Sequence, residues 1–391
     1  MIAPENVSIY TSYVPQRFDI AAGIHPKPLS LNRMRAKCRD LPGFCRDCAK
    51  DKEIYMIRMK KVRSFNEQRK ERTAMSERRT IVKKPGEVIG FETVFEMNPA
   101  IEEAEPLHKG RMVRVDYTTD VYEYGITYPK YCNVYLPYCY DANDKGRKYN
   151  VLYYQHGNTC DPELFNTPET IKRFDNLFDS GEIDPCIIVC TTYYFDPARD
   201  AAIRKQTGGA QAGDNGSTGN PPNFYREVVE SIIPAVETRF NTYLTDAGRE
   251  GIMATRDHRA FSGYSRGAAC SWYMLHNAFE FFRWYAPMSC MTTAGRGIRE
   301  ELADEVVTDY VTYQISRKPD LPFFIYATNG DPEKDVKRMN DQMKFLTKAP
   351  GFSYGRDVHK NNIFFGISEF PHTDLLVPYY YWNSLKVLFK L

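Results

Sequence analysis

Apolar positions in this chain gather into short runs, and from about residue 112 the runs alternate between two periods. MVRVDYTT (112–119) and CNVYLPYCY (132–140) alternate apolar and polar residues, the period of a half-buried strand. VLYYQ (151–155) is a short buried strand that ends at His156-Gly157. A helical stretch follows over 170–180, and CIIVCTTYY (186–194) is a second buried strand. In 225–239 the apolar residues Val228, Val229, Ile232, Ile233 and Val236 recur with a helical period. HRAFSGYSRGAACSWYMLH (258–276) reads as a strand, a sharp turn and a helix. RWYAPMSC (283–290) and LPFFIYATNGD (321–331) are strands, 335–347 is helical, NIFFGISEFPH (362–372) is a strand running into a loop, and YYYWNSLKVLFKL (379–391) closes the chain as a helix. Strands alternating with helices predict an α/β fold with a mostly parallel sheet covered on both faces. Between 196 and 224 lies a stretch rich in Gly, Asn and Pro. A loop this long inside a compact domain is functional or disordered, and it is a candidate substrate lid.

The first 110 residues do not share this pattern. They are Pro-punctuated and then basic, so the expected organisation is an extension of unknown fold over 1–110 and one α/β domain over 111–391. The net charge of +2 conceals the division. Residues 1–84 carry 20 Lys and Arg against 9 Asp and Glu, and the remainder carries 32 against 41. The segment 56–84 reads as a solvated helix or arm. Basic clusters also bind nucleic acid or anionic surfaces, but no aromatic interleaving or nucleic-acid motif supports that here.

Hydrophobic residues at 42% and charged residues at 26% exclude wholesale disorder. No apolar run reaches the roughly 18 residues of a membrane span. Cys38, Cys45 and Cys48 form C-x6-C-x2-C. A zinc site there wants a fourth ligand, and His25 is the nearest histidine, so free thiols or a local disulfide compete with it. The remaining cysteines lie in or beside core-like segments. MIAPENVSIY lacks the basic and apolar regions of a signal peptide.

The chemistry sits at strand ends. Gly263-Tyr264-Ser265-Arg266-Gly267 is G-x-S-x-G between an apolar strand and a helix that begins with small residues. A nucleophilic serine needs a tight strand-to-helix turn, and flanking glycines let neighbouring backbone approach. The helix N-terminus also aims N–H groups at a developing oxyanion. The competing role is a structural turn with a capping serine. A serine hydroxyl needs a base, reached in the order Ser, acid, His. Three histidines follow Ser265. His276 lies on the helix after the serine, His359 sits among charged residues before a strand, and His372 occupies a loop after a strand. His372 is therefore the expected base. Asp331, at the end of FFIYATNG, is the expected acid, and Asp335 on the next helix is its competitor. The expected oxyanion donors are the backbone N–H of Arg266 and the loop Gly157-Asn158. His156 itself is read as a loop-stabilising residue.

These elements resemble the esterase-D-like branch of α/β-hydrolases, and within it the bacterial feruloyl esterases of carbohydrate esterase family 1. The likeness runs through KYNVLYYQHG, GEIDPCIIV, FYREVVESIIPAVETRFNTY, DHRAFSGYSRGAA, WYAPMS, ATNGD and a late PH with Trp382, over about 112–391. Two departures stand out: HGNTC where the family has further glycines, and Arg266 where it often has Met. The resemblance implies an α/β-hydrolase fold and a Ser265–Asp331–His372 triad working without metal or organic cofactor. It also implies a substrate in which a hydroxycinnamic acid such as ferulate is esterified to plant cell-wall xylan or its oligosaccharides, and an extracellular location. Acetyl-xylan or other ester and thioester hydrolysis are alternatives, as is acyl transfer to an alcohol. Tyr264, Trp272, Trp284 and Tyr354 are candidates for an aryl slot, with core packing as the competing role for each.

Overall fold

The computed structural model describes residues 78–84, 90–122, 125–157, 162–194, 224–292, 300–333 and 336–391. The basic segment before residue 78, the Cys38/Cys45/Cys48 cluster, the proposed lid over 196–223, Asn158 and Asp335 lie outside them.

An eight-stranded sheet forms the centre. Its strands are β3 (Arg111–Thr119), β4 (Tyr128–Leu136), β5 (Val151–Gln155), β6 (Ile187–Thr191), β7 (Arg259–Tyr264), β8 (Trp284–Met288), β9 (Phe324–Gly330) and β10 (Ile363–Ser368). Their spatial order is β10-β9-β8-β7-β5-β6-β4-β3. The six strands from β10 to β6 are parallel, and β4 and β3 are antiparallel at one edge. The sequence explains the split. β5 and β6 are buried along their whole length and read as continuous apolar runs, as strands covered on both faces must. β3 faces solvent at alternate positions in its second half.

Helices cover both faces. Those used below are α1 (Pro168–Asp179), α2 (a continuous helical stretch made of Phe224–Glu227, Val228–Ile232 and Ile233–Glu237), α3 (Arg266–Asn277), α4 (Glu300–Arg317), α5 (Val336–Leu346) and α6 (Val377–Leu385). The central turn of α2, Val228–Ile232, is wound as a π-helix. Alternate residues of each strand feed two cores. Tyr153, Phe261, Ile325 and Phe365 enter the one shared with α2 and α3. Leu152, Ala260, Tyr326 and Phe364 enter the one shared with α1 and α6. Among the described residues no helix is long and apolar enough to cross a membrane. Cys132, Cys186, Cys190 and Cys270 are free and buried in these cores. The arrangement is the mostly parallel, doubly covered sheet of an α/β-hydrolase.

The described part of the expected 1–110 extension, residues 78–84 and 90–110, falls in the same compact unit as the sheet. A hairpin of β1 (Arg79–Lys83) and β2 (Thr93–Met97) lies outside the main sheet. It buries Phe95 and Met97 completely. Asn383 of α6 reaches β2 like a neighbouring strand: its Oδ1 accepts from Glu96 N–H at 2.8 Å, and its Nδ2 donates to Glu96 C=O at 2.8 Å. The apolar positions of β1 and β2 were masked by the Arg and Lys residues between and before them.

The strand order reverses at β5, which has β6 on one side and β7 on the other. In open α/β sheets the carboxyl ends at such a point form a crevice where ligands bind. The register pairs Gln155 with Gly263, so His156-Gly157 and Tyr264-Ser265 emerge side by side there.

Candidate active site

Ser265 stands at the turn from β7 to α3 with φ 56° and ψ −115°. A non-glycine residue in this region costs on the order of 1–3 kcal/mol, and the surroundings must enforce it. The enforcement is visible. Ser265 N–H donates to Met288 C=O on β8 at 2.8 Å, and Ser265 C=O accepts from Ala268 N–H at 2.9 Å. Both motif glycines are sterically required. A Cβ on Gly263 would lie 2.3 Å from Gly267 C, and one on Gly267 would lie 2.1 Å from Gln155 O. The turn can be this tight only because neither side chain exists.

His372 comes from the loop after β10. Its Nε2 is 3.0 Å from Ser265 Oγ. The ring stacks on Tyr264, centroids 4.9 Å apart, and stays partly open to solvent. Its Nδ1 is 2.7 Å from Glu333 Oε2. This corrects the expected acid: Asp331 does not reach His372. Asp331 N–H extends the β9–β10 ladder by donating to Ser368 C=O at 2.9 Å. Its carboxylate turns instead to Lys83 of β1, with Nζ to Oδ2 at 2.7 Å. The chain then bends through Pro332, closed by Glu333 N–H to Gly330 C=O at 3.2 Å, and the extra methylene of Glu333 brings its carboxylate back to the imidazole.

Glu333 is held as an orienting group should be. Its side chain is 3% exposed. Oε1 accepts from Gly330 N–H at 2.6 Å and from Ser289 Oγ at 2.7 Å, leaving Oε2 for the histidine. Ser289 Oγ also contacts Tyr380 Oη at 3.0 Å. Ser289 follows β8 and itself takes φ 61°, which fits a residue constrained between strand and carboxylate. In the sequence the signal for Glu333 was an acidic residue just past a strand end. Proximity to the strand favoured Asp331, and side-chain length decided otherwise.

Where the oxyanion donors were expected, Arg266 opens α3 and places its backbone at the helix N-terminus beside Ser265. Gly157 packs against the nucleophile: a Cβ there would sit 3.5 Å from Ser265 Cβ. The His156 ring is fully buried, with Nδ1 2.8 Å from Gly157 O and Nε2 2.9 Å from Thr192 Oγ1. Tyr193 Oη donates to the same Gly157 carbonyl at 3.2 Å. His156 thus shapes the loop and does not face the nucleophile. The Arg266 side chain turns inward over the Tyr193 ring, 5.1 Å from its centroid.

Of the candidate slot aromatics, only Tyr264 is at the site. Burial above all, then Tyr380 and Glu333, raise its hydroxyl pKa far above the ordinary value, so it stays a neutral phenol. Among the described residues its Oη has no hydrogen-bond partner. Trp272 is buried on α3 and donates Nε1–H to Cys290 C=O at 3.0 Å, a core role. Trp284 begins β8 and donates Nε1–H to Asp257 C=O at 2.8 Å. Tyr354 bridges Ile363 at the start of β10, with its Oη 3.1 Å from Glu92 O. Trp284 and Tyr354 therefore sit at the amino ends of parallel strands, while Ser265 follows a carboxyl end.

Comparison with known proteins gives a family and a fold. A family model described as "Putative esterase" matches residues 129–362. Endo-1,4-beta-xylanase Y of Acetivibrio thermocellus is 27% identical over 314 residues, which cover 79% of this chain and 26% of that protein. The chain thus spans about a quarter of the length of that relative. Among solved structures, a serine-to-alanine mutant of the feruloyl esterase module from Clostridium thermocellum, complexed with sinapinate, superposes with a TM-score of 0.59 at 24% identity, covering 74% of this chain and 91% of that one.

Proposed function

This chain belongs to the putative esterase family, and on that premise we propose that it is a serine carboxylic-ester hydrolase that releases hydroxycinnamoyl groups such as ferulate from xylan. The observation that carries the reading is the contact series Ser265 Oγ, His372 Nε2, His372 Nδ1, Glu333 Oε2, at 3.0 and 2.7 Å. The substrate class draws on the names of the xylanase and the feruloyl esterase module to which the chain is similar.

Ser265 Oγ attacks the ester carbonyl while His372 Nε2 takes its proton. Glu333, already engaged by Gly330 and Ser289, holds the Nδ1–H tautomer and stabilises the imidazolium. Negative charge on the carbonyl oxygen develops beside the Arg266 amide at the start of α3 and the loop at Gly157. Collapse expels the sugar alcohol, protonated by His372, and leaves an acyl-serine. His372 then deprotonates a water that attacks the acyl-serine; the acyl–Oγ bond breaks, His372 returns the proton to Ser265 Oγ, and the hydroxycinnamic acid is released. A polymeric substrate of this kind implies action outside the cell.

Rates on methyl ferulate, an aryl acetate, acetylated xylan and S-formylglutathione test the assignment. Methyl ferulate is expected to be turned over fastest, and Ser265→Ala to abolish turnover. Equal or faster hydrolysis of the thioester overturns the cell-wall substrate. Unchanged hydrolysis by Ser265→Ala overturns the serine mechanism.

A further inference from the structure

β1 touches both loops that carry the acid and the base. Alternate residues of a strand share a face, and Arg79, Ile81 and Lys83 point toward the main body while Thr80 and Val82 are exposed. Ile81 is buried in the core below α6. At one end of the strand, Lys83 Nζ lies 2.7 Å from Asp331 Oδ2, two residues before Glu333. At the other, Arg79 lies 2.9 Å from Glu369 Oε2, and its guanidinium sits over the Phe370 ring, 5.8 Å from the centroid. Glu369 and Phe370 lead directly into His372.

We infer that β1 is a clamp that sets the spacing of the acid and base loops, with Lys83 and Arg79 as positioning residues for the Glu333–His372 pair. The inference rests on the assignment of Ser265, His372 and Glu333 made above. Neither cation touches the reacting atoms. Each neutralises a carboxylate that stands within three residues of a triad member, and a single rigid strand of five residues links the two contacts. The loops themselves need such support. Gly330 is packed so closely that a Cβ would lie 1.9 Å from Phe370 O, so the two loops touch where the chain leaves the sheet. A shift of either one moves Glu333 relative to His372. Small displacements of this kind cost rate more than affinity, because the substrate still docks while the proton acceptor is misaimed. The hairpin also lies before residue 129, where the family match begins, so the clamp comes from chain that the family model does not include.

The test is steady-state hydrolysis of p-nitrophenyl acetate, an activated ester whose use does not presuppose that the natural acyl group is ferulate. Wild type, Ser265→Ala, Lys83→Ala, the pair Arg79→Ala/Lys83→Ala, and the exchange Lys83→Asp/Asp331→Lys are compared, with thermal melting confirming that each is folded. Lys83→Ala is expected to lower kcat about tenfold with KM within about twofold, and the pair to lower it further. The exchange restores the ion pair and is expected to return kcat to within about threefold of wild type. A pair variant with wild-type kcat, beside an inactive Ser265→Ala, overturns the clamp and leaves the catalytic assignment standing. The same follows if the exchange variant is as slow as Lys83→Ala. Activity surviving in Ser265→Ala overturns the site assignment itself, and the clamp with it.

Discussion

At the scale of single residues, a methylene decides the acid. Asp331 and Glu333 are two positions apart, and a sequence reading places the acid at the strand end. The backbone of Asp331 is still part of the β9–β10 ladder, so its short side chain is committed to the direction the strand dictates, toward Lys83. Glu333 is past the turn and free to return. Glu333→Ala is expected to lower kcat by about 10³–10⁴-fold with little change in KM, since tautomer control and imidazolium stabilisation act in the transition state. Asp331→Ala is expected to lose no more than about tenfold, the cost of a loosened loop. Steady-state kinetics on the two variants separates the roles, and the reverse ranking would return Asp331 to the triad. Backbone geometry gives a second expectation at this scale. Gly267→Ala drives a Cβ into Gln155 O, where backbone, not a movable side chain, must give way. Urea unfolding is expected to show a loss of about 3 kcal/mol or more, well beyond the effect of Ala in an open helix.

At the scale of elements, the sequence was legible wherever burial on two faces leaves a continuous apolar run. VLYYQ is β5 to the residue, and β6, β7, β8 and β9 fall within the segments read as strands. The elbow was legible because its strand, glycines and helix carry three separate signals. The hairpin was not. β1 reads RTIVK, in which the apolar residues are flanked by cations, and its burial depends on pairing with β2 and packing beside β10, a long-range fact that no local period contains. Trp272 takes the core role that competed with an aryl slot in the sequence reading, and Tyr354 packs at the start of β10; which core an aromatic faces is set by register. The docking of β2 can be measured. Asn383 is fully buried and pairs with both backbone groups of Glu96. Asn383→Leu would leave a backbone donor and an acceptor without these partners, at a cost of about 1–3 kcal/mol. Hydrogen exchange is expected to show faster exchange in 79–97 than in the central strands. Unchanged protection of that segment would mean that the apolar contacts of Phe95 and Met97 alone hold the hairpin.

At the scale of the whole molecule, the two halves of the site are supported from opposite faces of the sheet. The acid and base loops are held by the hairpin beside α6. The His156-Gly157 loop is held from the α2 side by a buried charge network. Lys130 on β4 and Glu227 on α2 are both completely buried and pair at 2.7 Å. Tyr117 Oη donates to Glu227 Oε1 at 2.5 Å, and Tyr122 donates to the other oxygen. Burial, then the Glu227 charge, raises the Tyr117 pKa far above its ordinary value, which keeps it a donor. Lys130 Nζ also donates to Thr192 C=O at 3.2 Å. From Thr192 the contacts run through Oγ1 to His156 and on to the Gly157 carbonyl. A pair of ions this deep is a poor source of net stability, yet removing one partner strands the other. Lys130→Met is therefore expected to cost about 3–5 kcal/mol in urea unfolding. The double variant Lys130→Met/Glu227→Leu is expected to recover much of that loss, because no charge is left unpaired. Its kcat should nevertheless remain below wild type, since Thr192 C=O has lost the ammonium that fixes the loop in front of Ser265. Recovery of stability together with full activity would show that the network serves folding alone; recovery of stability without activity would show that the same buried charges that hold α2 against the sheet also keep the loop beside Ser265 in place.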